Sequence, residues 1–319
     1  MNRRSTPSER DIPRDRLAFL MPETAPSLSG PLSGRVAVVT GATSGIGREI
    51  ALGLARQGAT TVVVGRGEGR AARAAAEIAQ ESGNRNVDSV RVDDLAVLAE
   101  TRQLAGSLLA KCPAVHILVN NAGAYFHRRE RTSDGLERTL ALNVLAPYLL
   151  MTLLAPRLVE SAPSRIVNVS SAAHGQGRLD FNDLQSTRRY AGFRAYGTSK
   201  LELLLLTREY ARRLRPTGVT VNAVHPGFVR SGFALNNSGG VRIGMRIVSI
   251  FGRSVRRGAD TPIYVASAPE LASVTGEYFS DRTRRPGSPE SNDLESARRL
   301  VEECARMSGV PPIDGAQSA

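Results

Sequence analysis

The stretch Val36 to Ile50, VAVVTGATSGIGREI, joins a short apolar run to a helical pattern through a turn that contains Gly41, Gly45 and Gly47. A helix N-terminus offers unpaired N–H groups and a partial positive charge, and small residues let a pyrophosphate approach the backbone closely. The spacing GxxxGxG differs from the GxGxxG fingerprint of dinucleotide-binding proteins. The turn therefore points to a dinucleotide site only together with other motifs, because glycines also serve ordinary tight turns.

Short apolar runs alternate with Ala- and Leu-rich helical patterns through the rest of the chain. The runs after the first are TTVVVG, VDSVRVD, VHILVNN, RIVNVSS and VTVNAVHPG. This alternation is typical of βαβ units in a parallel sheet. Since composition does not change between the units, the sequence predicts one α/β domain, a doubly wound parallel sheet of the Rossmann type with helices on both faces. A last short strand in GEYFSD and a helix over 291–309, with Leu294 on its apolar face, complete the prediction.

The domain boundaries follow from local composition. Residues 1–33 are rich in Pro, Ser, Arg and Glu and predict a mobile tail, whereas 34–310 form the dinucleotide-binding and catalytic domain. Within it, 228–258 give no clean strand and are interpreted as a substrate loop, because long irregular insertions are uncommon unless they bind or cover something. Residues 311–319 are assigned to a C-terminal tail.

Composition excludes several classes of function. The net charge of +12 comes from arginines scattered through the whole chain, with no basic tract interleaved with aromatics, so nucleic-acid binding is not expected. No run reaches the roughly 18 apolar residues that a membrane span needs. Cys112 and Cys304 are too few for a disulfide framework or a metal cluster, so the sequence predicts a cytoplasmic protein without a metal.

The end of the second predicted strand distinguishes between the two nicotinamide dinucleotides. An acidic residue at that point bonds the adenosine ribose of NAD, whereas an arginine accommodates the additional phosphate of NADP. Here the strand ends in Gly65 and Arg66, and the next carboxylate is Glu68. The sequence therefore favours NADP, with Arg66 pairing with the phosphate.

Tyr196 and Lys200, in YGTSK, are four residues apart and would leave the same face of a helix one turn apart. A tyrosine ordinarily has a pKa near 10, and a nearby cation favours the phenolate and lowers that pKa. Of 42 basic residues only Lys111 and Lys200 are lysine, so a lysine at 200 stands out in an arginine-rich chain. Lysine carries a compact charge with three rotatable donors, which a planar guanidinium cannot replace.

Several motifs in a fixed order resemble those of the short-chain dehydrogenase/reductase family. They are TGATSGIG, NNAG at 120–123, the Asn143 motif LNV, VNVSS, YGTSK and the HPG that contains Pro226, and the resemblance covers about residues 34 to 281. Within the family the chain is similar to the retinol-dehydrogenase-like branch. Ser171 and Tyr196 are 25 positions apart, more than in many members, and the additional segment resembles the insertion of that branch.

The resemblance implies roles for individual residues and a carbonyl or alcohol as substrate. Tyr196 would be the acid or base, Lys200 would lower the tyrosine pKa and hold the nicotinamide ribose, Ser171 would bond the substrate oxygen, and Asn143 would support a water in a proton relay. Asp94 would contact the adenine, with Asp93 as an open alternative. The implied cofactor contacts are Gly41, Thr43, Ser44, Gly45, Ile46, Arg66, Asp94, Leu95, Asn120, Ala122, Gly123, Tyr196, Lys200, Pro226, Gly227 and Val229. Family members are commonly oligomers, so a homo-oligomer is expected.

Two other interpretations compete with this enzyme. His174 lies three residues after Ser171 and suggests a hydrolase, but the chain has no G-x-S-x-G elbow, and a hydrolase leaves the cofactor motifs unexplained. A non-catalytic NADP-binding sensor would keep the cofactor motifs, yet such proteins usually lose the tyrosine or the lysine. The leading interpretation is an NADP-dependent oxidoreductase for an apolar small molecule, since the loop 228–258 carries large apolar residues such as Phe228, Phe233 and Phe251.

Overall fold

One mostly parallel sheet runs through the computed structural model, which describes residues 29–67, 69–227 and 254–313. Its order is β3-β2-β1-β4-β5-β6-β7-β8; the first seven strands are parallel and β8 pairs with β7 in the antiparallel sense. The strands are β1 Val36–Thr40, β2 Thr60–Gly65, β3 Val87–Arg91, β4 Ile117–Asn120, β5 Ser164–Val169, β6 Val219–His225, β7 Tyr278–Ser280 and β8 Thr283–Arg285. The predicted Rossmann-type α/β sheet is confirmed.

Helices cover both faces of this sheet. They are α1 Gly45–Arg56, α2 Arg70–Ser82, α3 Leu98–Lys111, α4 Arg138–Leu140, α5 Ala146–Leu153, α6 Ala155–Glu160, α7 Gly192–Leu214, α8 Val255–Ser267 and α9 Leu294–Ser308. A π-helical turn, Ala141–Leu145, joins α4 to α5. The carboxylate of Glu137 accepts hydrogen bonds from the backbone N–H groups of Thr139 and Leu140, each at 2.8 Å, and so fixes the start of this helical run.

The strands are buried on both sides because each face packs against its own set of helices. Along β1, Ala37 and Val39 pack with α1, α2 and α8, whereas Val38 points to the opposite face and packs with α3, α5, α7 and α9. All three side chains are fully buried. This explains why the strands appear in the sequence as continuous apolar runs rather than as alternating ones.

The chain reverses its winding direction between β1 and β4. From β1 it proceeds outward to β2 and β3, and it then returns to place β4 on the other side of β1. At such a point the loops after the two strands diverge and leave a crevice at the carboxyl edge of the sheet, where ligands bind in open α/β folds.

Several elements differ from the sequence-based expectation. Strand β8 was not predicted, because its three residues are exposed and give no apolar signal. On α9, Ala297 and Cys304 are buried as expected, but Leu294 is 51% exposed because it lies at the first position of the helix.

The structure describes only parts of the predicted tails and of the predicted substrate loop. Leu32, in the segment assigned to the N-terminal tail, packs into the core, and its backbone N–H donates to the Gln57 carbonyl. The predicted substrate loop lies outside the described residues as far as residue 253, and its last residues belong to α8. At the other end, the carbonyl of Ile313 accepts a hydrogen bond from Arg213 at 2.9 Å.

Within residues 29–67, 69–227 and 254–313, no helix combines the length and the apolar character that crossing a bilayer requires. The same ranges contain no group of three or more His, Cys, Asp or Glu side chains able to hold a metal ion. Cys112 and Cys304 are buried free thiols.

Gly47 allows α1 to approach the turn that precedes it, and this close approach generates a stability prediction. A Cβ at Gly47 would lie 2.4 Å from the Gly41 carbonyl oxygen and 2.3 Å from Asn121 Nδ2. We expect Gly47→Ala to lower the free energy of unfolding by about 1–3 kcal/mol through overpacking. The measurement is urea denaturation followed by circular dichroism.

Gly106 in α3 is the matched control, since a Cβ there meets no atom within 4 Å. Gly106→Ala should raise the free energy of unfolding by about 0.5–1 kcal/mol, because glycine is a poor helix former. Equal effects of the two alanine substitutions would contradict the packing argument.

Candidate active site

The turn after β1 is shaped for close approach of an anion to the backbone. Gly41 and Gly45 have positive φ angles of 65° and 59°, which L side chains rarely adopt. Ser44 precedes α1 as its N-cap residue, and its side chain accepts no hydrogen bond from the first turn. The N–H groups at the start of α1 therefore remain available to a ligand, as at helix N-termini that bind phosphates. This donor set fits the pyrophosphate of a dinucleotide.

A cavity of about 500 Å³ extends along the carboxyl edge of the sheet, from the end of β2 to the start of α7. Thirteen of the predicted residues line it: Gly41, Thr43, Ser44, Gly45, Ile46, Arg66, Asp94, Leu95, Ala122, Gly123, Tyr196, Lys200 and Pro226. The cavity is in the size range of cofactor sites. Residues that are far apart in the chain are thus brought to one crevice.

At the β2 end of the cavity, Arg66 is exposed and has no hydrogen bond or ion pair among the described residues. Asp94 lies in the cavity wall, where its carboxylate bonds Arg138 and the backbone N–H of Ala96. Asp93 instead points to the surface and forms a two-bond pair with Arg91 at 2.7 Å. Of the two aspartates that the sequence left open, the structure therefore places Asp94 at the cavity.

At the other end, Tyr196 and Lys200 leave α7 on one face, as their spacing predicts. Both are buried, with 8% and 4% of their surface exposed, and Lys200 Nζ lies 5.6 Å from the centroid of the Tyr196 ring. The ammonium donates to the carbonyl oxygen of Val169 at 2.9 Å. Tyr196 is hydrogen-bonded to Ser171, which follows β5 and caps a short 3₁₀ turn. The predicted Ser, Tyr and Lys groups are thus adjacent.

Burial controls the ionisation of this pair. It raises the pKa of Tyr196 above its usual value, and the hydrogen bond with Ser171 only partly opposes this shift. Burial also lowers the pKa of Lys200 to about 8. Burial is thus the largest influence on both groups, because removal from water disfavours both charged forms; that Lys200 lowers the tyrosine pKa stays a prediction.

Asn143 lies in the π-helical turn and connects two sides of the site. Its amide donates to the Ala124 carbonyl and to Ser199 Oγ, both at 3.0 Å, and its Oδ1 accepts from the Ala124 backbone N–H. A Cβ at Gly123 would lie 3.1 Å from Asn143 Oδ1 and 3.3 Å from Lys200 Nζ. Asn143 and Lys200 therefore flank Gly123 closely, although Asn143 itself does not line the cavity.

Two of the predicted cofactor contacts that the structure describes, Asn120 and Gly227, are not in the cavity wall. Asn120 lies behind it and bonds Asn168 Oδ1 at 2.8 Å. Gly227 follows Pro226 with a φ of 83°, and Val229 lies outside the described residues.

Asn121 and Arg138 are two of the lining residues that sequence reasoning missed. Asn121 lines the cavity, and its amide donates to the Thr40 carbonyl at 2.8 Å, which ties the loop after β4 to the turn after β1. It is the second asparagine of the NNAG motif, so the motif itself could have indicated it. Arg138 also lines the cavity, stacks 5.5 Å from the Phe126 ring and pairs with Asp94. No sequence signal distinguishes it from the other arginines.

His174 has a structural role that excludes the Ser–His hydrolase. Its Nδ1 lies 2.7 Å from the Ser171 carbonyl oxygen, and its Nε2 accepts from the Ser288 backbone N–H at 3.0 Å. Burial lowers its pKa, so the ring is neutral with the proton on Nδ1. With both nitrogens bound to backbone groups, His174 cannot act as a base for the Ser171 hydroxyl.

The chain matches a family model described as short chain dehydrogenase over residues 35–239. It is 42% identical to human retinol dehydrogenase 12 over 279 residues, covering 88% of each chain. With human retinol dehydrogenase 13 the identity is 39%, covering 88% of this chain and 86% of that protein.

Solved structures with the same fold include an uncharacterised protein from Mycobacterium paratuberculosis, with a TM-score of 0.72, 28% identity and coverage of 88% of this chain and 96% of that one. A short chain dehydrogenase from Burkholderia cenocepacia in complex with NADP has a TM-score of 0.61 and 28% identity, covering 78% and 97%. The motifs, the sheet order and these similarities agree: the chain belongs to the short-chain dehydrogenase/reductase family, in its retinol-dehydrogenase-like branch.

Proposed function

We propose that this protein is an NADP-dependent oxidoreductase that interconverts a carbonyl and an alcohol on an apolar small molecule. Membership of the family supports an alcohol or carbonyl oxidoreductase that uses a nicotinamide cofactor. The observation that carries the proposal is the position of Tyr196 and Lys200, with Ser171 hydrogen-bonded to Tyr196, at one end of a cavity that the glycine turn also lines.

Two features support NADP in particular. No acidic side chain stands at position 65, and Arg66 is an unpaired cation among the described residues at the β2 end of the cavity. Solved relatives in complex with NADP, such as the Burkholderia dehydrogenase, support the same choice. An arginine binds a phosphate through several charge-assisted hydrogen bonds.

An apolar substrate is supported by the apolar residues in and beside the cavity wall. Ala124, Phe126 and Leu142 are among the residues that line the cavity, and Tyr125 packs edge-to-face on Tyr196 with ring centroids 6.4 Å apart. The relatives named retinol dehydrogenases are named for a largely apolar alcohol. The loop residues from which the sequence predicts an apolar substrate lie outside the described ones.

The chemistry assigns a distinct task to each side chain. When bound, the cofactor supplies or accepts the hydride. In carbonyl reduction Ser171 and Tyr196 bond the substrate oxygen, and Tyr196 donates its proton as negative charge develops there. Because its pKa is raised, Tyr196 holds that proton throughout the neutral range. Burial therefore keeps Tyr196 in its protonated form near neutrality, which is the form that protonates the substrate oxygen in carbonyl reduction.

Lys200 acts through its position beside the tyrosine and the cavity. Its ammonium is fixed by the Val169 carbonyl, and two further donors are free to bond ribose hydroxyls or a water. Asn143, on the other side of Gly123, holds the backbone of this region and would support the water that returns a proton to the pair. Cytoplasmic location and homo-oligomeric assembly stay predictions.

The first test is Tyr196→Phe, which removes the proton donor and keeps the ring. We expect kcat for reduction of apolar aldehydes and ketones to fall by about 10²- to 10⁴-fold, the usual contribution of a general acid. NADPH binding, measured by calorimetry, should change little. Tyr264→Phe on α8, away from the cavity, is the control and should leave both unchanged. Undiminished turnover in Tyr196→Phe would contradict the proposal, whereas NADPH binding without turnover of any carbonyl by wild type would favour a sensor.

The second test keeps the charge at position 200 and changes its shape. Lys200 is buried and Gly123 leaves little space beside its ammonium, so a guanidinium would displace the groups around it. We expect Lys200→Arg to lower kcat by about 10²-fold, as small misplacements in active sites do. Lys111→Arg is the control, because Lys111 forms a surface ion pair with Asp88 at 2.6 Å. Similar activities of the two variants would show that charge alone suffices at position 200.

The third test is the pH dependence of reduction. Lys200, with its pKa lowered to about 8, is a cation below that pH and neutral above it. Tyr196 keeps its proton over the same interval, since its pKa is raised. We therefore expect kcat/KM to be constant up to about pH 7 and to fall with one ionisation near pH 8. A profile that stays flat up to pH 10, measured with saturating NADPH, would contradict the role of the Lys200 cation.

A further inference from the structure

Three basic side chains meet at the amino edge of the sheet, the edge opposite the cavity. Arg35 directly precedes β1, His116 directly precedes β4, and Arg165 is the second residue of β5. Strand β4 lies between β1 and β5, and the His116 N–H donates to the Val36 carbonyl at 2.9 Å while the Arg165 N–H donates to the His116 carbonyl at 2.8 Å. Residues that are far apart in the chain thus form one group, which we call the amino-edge cluster.

The two guanidinium groups of the cluster are held by backbone carbonyls. Arg35 Nη1 donates to the Pro163 carbonyl at 3.2 Å, so its side chain reaches past the start of β4 toward β5. Arg165 Nη1 donates to the Val265 carbonyl of α8 at 3.1 Å. Within the part of the chain that the structure describes, neither guanidinium forms an ion pair with a carboxylate. Since a guanidinium has five N–H donors, each keeps donors for a further acceptor.

The charges of the cluster are poorly compensated. Its three side chains are half-buried. Burial, followed by the charge of Arg35, lowers the pKa of Arg165, and the exposed carboxylate of Glu270 only partly opposes this shift. A cation that is partly removed from water is costly unless an anion compensates it. The two arginines therefore repel each other, and the described carboxylates do not neutralise them.

His116 adds a neutral donor to these two cations. Its Nδ1 accepts a hydrogen bond from the Val36 N–H at 3.0 Å, so the proton of the neutral ring lies on Nε2. Burial and the charge of Arg35 both lower the pKa of His116, which keeps the ring uncharged near pH 7. The Nε2 N–H makes no hydrogen bond to another described residue. The cluster thus offers two positive charges and one uncharged N–H group.

We propose that the amino-edge cluster is a binding site for a phosphate group. A dianionic phosphate balances both arginine charges, whereas a carboxylate balances only one of them. Planar guanidinium groups bond phosphate oxygens through paired N–H donors, and the imidazole supplies a third donor without further charge. A free phosphate and the headgroup of a phospholipid share this chemistry. Because the cluster lies at the edge opposite the cavity, the inference does not depend on the proposed function.

Inorganic phosphate is the first probe. We expect about 10 mM phosphate to raise the unfolding temperature of wild type by about 2–5 °C relative to chloride at equal ionic strength, because a ligand that binds the folded state stabilises it. Arg35→Gln and Arg165→Gln should each lose most of this shift. Equal shifts in wild type and both variants would mean that phosphate binds elsewhere, such as at the glycine turn, and would overturn the inference, as would the absence of a shift in wild type.

Arg208→Gln is the matched control. Arg208 is also half-buried, and it donates to the Pro286 carbonyl at 3.0 Å. Burial lowers its pKa as it does for Arg165, but the charge that acts on Arg208 is the carboxylate of Glu277 instead of a second arginine. This variant should keep the phosphate-dependent shift even if its unfolding temperature is lower.

A double-mutant cycle tests whether one anion bridges the two arginines. In chloride each single substitution relieves the repulsion, so Arg35→Gln/Arg165→Gln should lower the unfolding temperature by more than the sum of the single effects. In phosphate each single substitution already removes the bridging anion, so the double variant should lose less than that sum. The same sign of coupling in both salts would contradict a shared phosphate.

Vesicles identify the source of the phosphate group. Co-sedimentation with phosphatidylcholine vesicles that contain phosphatidic acid, retained by Arg208→Gln and lost in both Arg35→Gln and Arg165→Gln, would assign the site to a phospholipid headgroup. Phosphate-dependent stabilisation without such co-sedimentation would assign it to a free phosphate or a small phosphorylated molecule.

Discussion

The site depends on a set of hydrogen bonds between the ends of β1 and β4, where the sheet reverses its winding. The Thr40 hydroxyl accepts hydrogen bonds from the backbone N–H groups of Asn121 and Ala122, both at 3.0 Å, while the Asn121 amide donates to the Thr40 carbonyl. Parallel strands leave a crevice at this point, and its two walls would otherwise be free to separate. These hydrogen bonds fix the glycine turn on one wall relative to the NNAG loop on the other. Gly47, packed against Asn121, completes the contact.

Desolvation dominates the chemistry at the far end of the crevice. Tyr196 and Lys200 are almost completely buried, so each is held toward its neutral form despite the closeness of an ammonium to a phenol. The consequence is a proton donor that keeps its proton near neutrality and a lysine whose charge is lost not far above it. This combination suits protonation of a developing alkoxide. In such a site the shape and the position of the cation matter as much as its charge, which is consistent with a lysine in a chain that otherwise uses arginine.

The helical run from Arg138 to Leu153 connects both ends of the cavity. Arg138 at its start pairs with Asp94 near the β2 end, and Asn143 in its π-helical turn bonds the loop after β4 and Ser199 on α7. A π turn inserts one residue into the helix and often marks a functional position. Here it brings the Asn143 amide to the backbone beside Lys200. The helix therefore couples the walls that hold the two halves of a dinucleotide.

The sequence by itself determined the α/β architecture, the positions of the first seven strands along the chain and the placement of Tyr196 and Lys200 on one face of a helix. These depend on short-range patterns: continuous apolar runs, glycines at fixed offsets and a four-residue helical spacing. Strand β8 could not be predicted from the sequence because its three exposed residues carry no apolar signal. The exposure of Leu294 depends on where α9 begins.

Only the tertiary structure decided which aspartate faces the cavity, how Tyr196 ionises and why position 65 is a glycine. These features depend on contacts between residues that are far apart in the chain. Whether Asp93 or Asp94 faces the cavity depends on the competing pair with Arg91, and the pKa of Tyr196 depends on burial by neighbouring elements. The reason for a glycine at position 65 is likewise a contact: the sequence suggests a missing carboxylate, and the fold adds the methyl group of Thr43 that fills its place.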